Sequence, residues 1–340
     1  MVRAIQQISM VSPDRARGGS LPKISHSSLP CGYTVGSDGS NRTNVFHPGY
    51  FRFLHFGPSQ SFAPFFFRQR FHIAACAMAA AWGWSKLLRL GIGGLPLIVV
   101  PLTVLCIYQW NRLTDTQEDF LNCPEDAQDA VRTAGKIRYS CIGSLAAVAA
   151  ILVSAGNLKS DLVVFFCFLL GYLYCNGLGR HHRTSRLKQI TLLKNVSSAL
   201  GWSLLTVLYP AANADRAVGF ETLLVFSIMF VAVTVVELTW DIRDVPGDAL
   251  AGIRSIPVVY GIKFTEGCIF FMNCLGGVLV IVGLHYDCLM TAWAFIVLNA
   301  CLMLISVFRM HCAAKLERTW SNVMVLLQSA MLLGIGLSSR

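Results

Sequence analysis

The feature that most constrains this chain is a succession of apolar stretches, most of them about 20 residues long, the length at which an α-helix crosses a bilayer. They lie near residues 71–88, 91–110, 139–156, 161–178, 190–210, 219–239, 266–285, 288–307 and 320–338. Only 14% of the 340 residues are charged, whereas soluble domains average about 25%. The sequence therefore predicts an all-α integral membrane domain with nine transmembrane helices over residues 71–340, and it excludes a soluble enzyme.

Residues 1–70 form a polar, basic leader ahead of the first apolar stretch. They contain ten Ser and eight Lys or Arg, but only two acidic residues, Asp14 and Asp38. An Arg- and Ser-rich, acid-poor N-terminus is typical of an organelle transit peptide. Two alternatives stay open, a disordered tail and a start-site artefact in which Met78 is the first residue. We expect an organelle membrane, either a plastid membrane or the mitochondrial inner membrane.

The loop charges predict an orientation. If the nine spans alternate, the loops on the side of the N-terminus carry fifteen Lys and Arg and the opposite loops carry five, which with the leader's eight accounts for all 28. This bias fits the positive-inside rule and places the N-terminus on the stromal or matrix side. We therefore attribute the net charge of +10 to orientation and contact with the lipid bilayer, and expect no nucleic-acid partner.

Two acidic motifs interrupt the apolar domain. The first motif is Asn111, Asp115 and Asp119, and the second motif is Asp241, Asp244 and Asp248. The spacing places each set on roughly one helix face, although Pro246 and Gly247 predict a helix break before Asp248. The first motif follows the second span and the second motif follows the sixth, so both emerge at one side of the membrane. Their oxygens suit Mg²⁺, which usually takes one or two carboxylates together with phosphate oxygens and water.

Basic residues are predicted at the same side. They are Arg112, Arg180, Arg186, Lys188, Lys194 and Arg243. Guanidinium and ammonium groups bind phosphate, but the positive-inside rule also predicts Arg180, Arg186 and Lys188, so both interpretations stay open for these three. Acidic motifs and basic groups at one mouth predict a site for a diphosphate held with Mg²⁺, and the apolar interior behind it suits a long hydrocarbon.

The two motifs resemble those of the UbiA superfamily of intramembrane prenyltransferases, which carry NxxxDxxxD after the second helix and DxxxDxxxD or a close variant after the sixth. Residues 251–257 also resemble the family's continuation of the second motif. The resemblance covers residues 71–340 and implies a helical bundle with a central cavity. It implies Mg²⁺-dependent transfer of a prenyl group from a prenyl diphosphate to a hydrophobic acceptor, aromatic or lipid. Catalytic and metal-binding roles for the six motif residues follow from the same resemblance.

One segment departs from the family pattern. Many aromatic prenyltransferases of the family follow the first motif with a short basic stretch, whereas this chain has Glu125, Asp126 and Asp129 there. This departure leaves acceptor binding open. A terpene cyclase, which ionises a prenyl diphosphate without a separate acceptor, is therefore one alternative. A transporter or a non-catalytic membrane protein is another, because intramembrane acids also mark ion pathways.

Overall fold

The structure, a computed structural model, describes residues 66–91, 93–177, 186–286, 292–312 and 318–338. Most of the predicted leader, and the loop that contains Arg180, lie outside these residues. The described ranges contain helices and no strand. The α-helices are α1 (Phe71–Leu87), α2 (Gly94–Thr114), α3 (Thr116–Asn122), α4 (Pro124–Arg132), α5 (Ala134–Ala155), α6 (Leu158–Asn176), α7 (Leu193–Ser203), α8 (Tyr209–Asn213), α9 (Phe220–Leu250), α10 (Ile256–Tyr260), α11 (Ile262–His285), α12 (Ala292–Cys312) and α13 (Arg318–Ser338).

The all-α class predicted from the sequence is confirmed, and each predicted span coincides with a helical segment in the described residues. Five helices, α2, α5, α6, α9 and α11, are long and apolar enough to cross a membrane. The fifth predicted span is divided into α7, a π-helical turn over Leu204–Leu208 and α8. Because α12 and α13 contain only shorter apolar stretches and α1 has 17 residues, the count of nine spans stays a prediction.

Helix α1 lies in the core of the bundle, although Trp82 to Ser85 interrupt its apolar sequence. Trp84 is fully buried and its indole N–H donates to Sδ of Met229 in α9 at 3.4 Å. Gly83 has no room for a side chain, because a Cβ would overlap the backbone carbonyl oxygen of Leu332 in α13. Small residues allow helix backbones to approach closely in membranes, so α1 is held by protein neighbours and needs less apolar surface.

The outer helices expose apolar side chains. Phe165 and Phe166 of α6, and Phe270 and Phe271 of α11, are all more than half exposed. Many exposed large apolar side chains mark contact with a membrane or a partner, and α-helices satisfy their backbone groups without water. The outer faces therefore suit contact with lipid, whereas the two acidic motifs line a cavity within the bundle.

Candidate active site

A cavity of about 240 Å³ lies at the end of the bundle where α2 and α9 finish and α7 begins. All six motif residues line it: Asn111, Asp115, Asp119, Asp241, Asp244 and Asp248. Four of the predicted basic residues line it as well: Arg112, Lys188, Lys194 and Arg243. The motifs come from helices more than a hundred residues apart, so tertiary packing brings them together. Arg180 lies outside the described residues.

The first motif runs across a helix boundary rather than along one helix. Helix α2 ends at Thr114 and α3 begins at Thr116, but the hydrogen bonds continue through the junction. The N–H of Asp115 donates to the carbonyl of Asn111, and the N–H of Asp119 donates to the carbonyl of Asp115, both at 2.9 Å. The three residues therefore stay close to one helix face, as predicted, although Asp119 lies on a separate short helix.

Lys188 compensates the negative charge of the first motif. Its ammonium donates to both Asp115 and Glu118, and only 1% of the residue is exposed. The guanidinium of Arg186 reinforces the cluster with a bond of 2.8 Å to Glu118. The short 3₁₀ turn Leu187–Gln189 holds these two basic residues over the end of α2. Glu118 was not predicted as a site residue, although its place three residues after Asp115 was a sequence signal for it.

Lys194 compensates the negative charge of the second motif. Its Nζ lies 2.7 Å from Asp241 Oδ1 and 2.7 Å from Asp248 Oδ2, so one buried cation bridges two buried carboxylates. Asn195 was not predicted as a site residue, yet its amide donates to Asp241 Oδ2 at 2.8 Å. The backbone of Leu192, just before α7, has a φ of 73°. A non-glycine residue rarely adopts that conformation, and here it precedes the turn that presents Lys194.

The expected helix break before Asp248 is wrong. Helix α9 continues through Pro246 and Gly247 to Leu250, although an interior proline removes one backbone N–H and crowds the carbonyl of the preceding turn. The N–H of Gly247 donates to the Asn122 side chain. Asp241, Asp244 and Asp248 therefore occupy one continuous helix. Arg243 forms a two-pronged bond with Asp244, with both distances 2.7 Å, and its guanidinium carbon lies 5.7 Å from the Trp240 ring.

Arg112 is held by protein groups. Its guanidinium donates to Asp129 at 3.2 Å and to Gln69 at 3.0 Å, and the residue is only 2% exposed. It lines the cavity, as the sequence predicts for a diphosphate ligand, and each of its terminal nitrogens already donates to a protein group. Gln109 adds a second contact at 3.4 Å. Three protein side chains therefore hold Arg112 at the cavity wall.

The acidic helix α4 binds the segment just before α1. Arg70 pairs with Asp126 at 3.3 Å, and Arg68 pairs with Glu125 at 3.7 Å. Gln69 lies between them and contacts Asp129 at 3.5 Å. The acids that depart from the family pattern are thus partners for residues 68–70, which we call the entry segment, and Arg70 of this segment lines the cavity.

Aromatic side chains line the cavity below the motifs. The indole N–H of Trp202 donates to the hydroxyl of Tyr108 at 3.2 Å, and the rings meet edge to face with centroids 6.4 Å apart. Tyr174 and Trp240 also line the wall. Behind Tyr108 and Trp202 lies a second, mainly apolar cavity of about 50 Å³. Aromatic faces attract cations, and an apolar space beyond them accommodates hydrocarbon.

Glu237 lies one turn before Asp241 and belongs to the walls of both cavities. The Ser198 hydroxyl donates to its Oε1 at 2.6 Å. Unlike Asp115 and Asp241, Glu237 forms no ion pair with Lys or Arg within the described residues. It is therefore a buried carboxylate, held by a single hydroxyl, below the charged mouth of the site.

The motif residues fit Mg²⁺ by the chemistry of their donors. They offer carboxylate and amide oxygens, which are the ligands that this hard ion prefers, and the place between Asp241 and Asp248 already attracts the ammonium of Lys194. Among the described residues, no three His, Cys, Asp or Glu side chains form a ready-made metal site. Substrate phosphates and water usually complete the coordination of Mg²⁺.

Comparisons with known proteins give a family and a fold. The sequence model of the UbiA prenyltransferase family matches residues 71–327, whereas no curated protein matches the chain. A UbiA homologue from Archaeoglobus fulgidus, solved with GPP and Mg²⁺ bound, has a TM-score of 0.61 at 15% identity, covering 80% of this chain and 99% of that one. The same homologue bound to DMAPP and Mg²⁺ has a TM-score of 0.61 at 14% identity, with 81% and 98% coverage. An apo homologue from Aeropyrum pernix K1 has a TM-score of 0.59 at 19% identity, covering 79% and 98%.

Proposed function

Because the chain belongs to the UbiA prenyltransferase family, we propose that it is a Mg²⁺-dependent intramembrane enzyme that transfers a prenyl group from a prenyl diphosphate to a hydrophobic acceptor, aromatic or lipid. One observation supports this proposal most strongly. Two acidic motifs, each with a buried lysine, line one cavity at the end of a bundle whose outer faces are apolar. A homologue of the same fold has been solved with GPP or DMAPP and Mg²⁺.

The charged mouth would bind the diphosphate. Lys188 and Lys194 each hold two carboxylates, so they can turn toward phosphate oxygens once those carboxylates acquire another cation. Arg186 and Arg243 lie beside the same acids, and Arg180 stays proposed as a diphosphate ligand from the sequence. For Arg112, which the sequence also predicted as a diphosphate ligand, we propose instead that it holds the cavity wall through Asp129 and Gln69. Basic groups fixed in this way stabilise the negative charge that develops on the leaving diphosphate.

Mg²⁺ would be held by Asn111, Asp115, Asp119, Asp241, Asp244 and Asp248, and when bound it neutralises the diphosphate and makes it a better leaving group. The chain's own residues bind the hydrocarbon and stabilise the cation. The apolar space behind Tyr108 and Trp202 takes the hydrocarbon and excludes water from the allylic cation. The faces of these rings stabilise the positive charge.

Two reactions are open to this fold, and they differ in whether a separate acceptor takes part. The acidic α4 stands where many family members carry a basic stretch, and its carboxylates bind Arg68, Arg70 and Arg112. A terpene cyclase, which needs no acceptor, is therefore the second candidate. For location we propose an organelle membrane, plastid or mitochondrial inner, with the cavity facing stroma or matrix.

Diphosphate release tests the proposal. Purified protein in detergent is given geranyl, farnesyl, geranylgeranyl or phytyl diphosphate, with Mg²⁺ or with EDTA. We expect Mg²⁺-dependent release when a membrane lipid extract is added, with a prenylated product. Release without the extract, together with a cyclic product, would identify a cyclase. No release from folded protein under either condition would contradict both and favour a binding or transport role.

A further inference from the structure

Every reaction that the proposed function allows must dispose of a proton. When an acceptor carbon or hydroxyl attacks the allylic C1, the C1–O bond breaks with its electron pair leaving on the diphosphate, and the acceptor then loses H⁺. When the chain cyclises instead and closes as an alkene, a C–H bond of the cation breaks and the same proton is lost. A side chain that takes this proton would lie beside the hydrocarbon, below the diphosphate.

The carboxylates of the charged mouth are poorly suited to this step. Asp115, Asp241 and Asp248 hold lysine ammonium groups, and Asp244 is bound by Arg243. In the proposed function these acids carry metal and diphosphate, so a proton placed on one of them would weaken the hold on the leaving group. A carboxylate outside the metal and diphosphate site is better suited to accept the proton.

We propose that Glu237 accepts the proton released from the acceptor or the cyclised chain, an inference that rests on the proposed function. It lies one turn below Asp241 and lines both cavities. It has no cationic partner in the described part of the chain, and Ser198 binds one of its two oxygens, Oε1. That leaves Oε2 available to take a proton. The carboxylate becomes a carboxylic acid, charge is conserved, and the proton then passes to water at the cavity mouth.

A structural role for Glu237 makes a different prediction. If its only purpose were to join α9 to α7 through Ser198, then Ser198→Ala would do as much damage as any change at residue 237. If it is the base, Glu237→Gln removes the base while keeping an oxygen that accepts the Ser198 hydroxyl bond, and Ser198→Ala leaves the carboxylate in place. Glu221→Gln is a matched control, because Glu221 lies on the same helix, is exposed and pairs with Arg216.

The experiment measures two quantities with labelled geranylgeranyl diphosphate, Mg²⁺ and membrane lipid extract: diphosphate released, and prenylated or cyclic product formed. For Glu237→Gln we expect release within about threefold of the unmodified protein, because ionisation does not need the base. The amount of product should fall about 100-fold or more, which is the usual rate contribution of a general base. Prenyl alcohol, formed when water captures the cation, should take its place. Ser198→Ala and Glu221→Gln should keep the ratio of product to diphosphate within about threefold.

Glu237→Asp provides a second variant should Glu237→Gln not fold. Its carboxylate is withdrawn by one methylene, so we expect the same ratio to fall about 10-fold. An unchanged ratio in either folded variant would overturn the inference. Equal loss of diphosphate release and product, or a loss in Ser198→Ala as large as in Glu237→Gln, would also overturn it in favour of a binding or structural role. If the unmodified protein releases no diphosphate, the proposed function fails and this inference fails with it.

Discussion

The backbone N–H of Gly247 donates a hydrogen bond to the side-chain oxygen of Asn122 at 3.0 Å, across 125 residues of sequence. Asn122 ends α3, the short helix that carries Asp119, and Gly247 lies beside Asp248 in α9. The bond therefore joins the carriers of the two acidic motifs. A side chain at position 247 would overlap the Asn122 amide, so glycine sets how closely the two helices approach.

Substituting Gly247→Ala should separate the two motifs. The new methyl group displaces the Asn122 amide and breaks its bond, at a cost of about 1–3 kcal/mol for overpacking. We expect at least about tenfold slower Mg²⁺-dependent diphosphate release and a lower melting temperature in detergent. Gly247→Ala combined with Asn122→Ala removes the overlap and should recover most of the melting temperature. A double variant no more stable than Gly247→Ala alone would show that this contact does not set the spacing.

Lys194 should compete with Mg²⁺ for the second motif. In Lys194→Met, Asp241 and Asp248 lose the cation between them, and an uncompensated buried charge typically costs about 3–5 kcal/mol. We expect the variant to be destabilised without metal and to gain more melting temperature from Mg²⁺ than the unmodified protein. Lys159→Met, which breaks the exposed pair with Asp215, is the control and should respond to Mg²⁺ as the unmodified protein does. Equal Mg²⁺ shifts in all three proteins would contradict the assignment.

The sequence alone predicted the features that depend on a single helix. Apolar stretches predicted the helices, and motif spacing together with span counting placed Asp115 and Asp241 at one mouth. The structure brings both to one cavity with Lys188 and Lys194. These predictions succeed because membrane spans must alternate and because i, i+4 spacing fixes a helix face.

Features that depend on tertiary partners could not be predicted. The central place of α1 follows from Gly83 packing on Leu332 and Trp84 reaching Met229, contacts that span most of the chain. The pairing of Arg112 with Asp129 and Gln69 likewise depends on how α4 folds back beneath the entry segment. A sequence pattern predicts that a charge is present, but its partner is decided by packing.

Asp115→Ala and Asp241→Ala should each abolish Mg²⁺-dependent diphosphate release, because each removes a proposed metal ligand from a different motif. We expect a loss of about 100-fold or more with membrane expression retained. Asp215→Asn is the matched control. The hydrogen bond from Lys159 lowers the pKa of the exposed Asp215 carboxyl, so this residue is also charged at neutral pH but lies outside the cavity. Near-normal release by either motif variant would contradict the metal assignment.

A chain that begins at Met78 should not form the site. It would lack the entry segment and the first two turns of α1, in which His72, Ile73 and Ala77 are buried. We expect such a chain to aggregate or to melt well below the full chain when both are purified in detergent. A chain that begins at Phe66 keeps all of α1 and residues 68–70, and it should match the full chain in melting temperature and diphosphate release. Equal stability of the Met78 chain would support the start-site alternative.

The ion pair between Arg112 and Asp129 should contribute to stability rather than to chemistry. Asp129→Leu leaves the buried guanidinium without its carboxylate and should cost about 3–5 kcal/mol, whereas Asp129→Leu combined with Arg112→Met replaces the pair with apolar groups and should recover much of that loss. Unfolding of the single and double variants in detergent measures the coupling between the two residues. If Arg112 instead binds diphosphate, the double variant will be stable but will show a raised KM for the prenyl diphosphate. We expect its KM to stay within about threefold of the unmodified protein, since Asp129 and Gln69 already occupy the guanidinium.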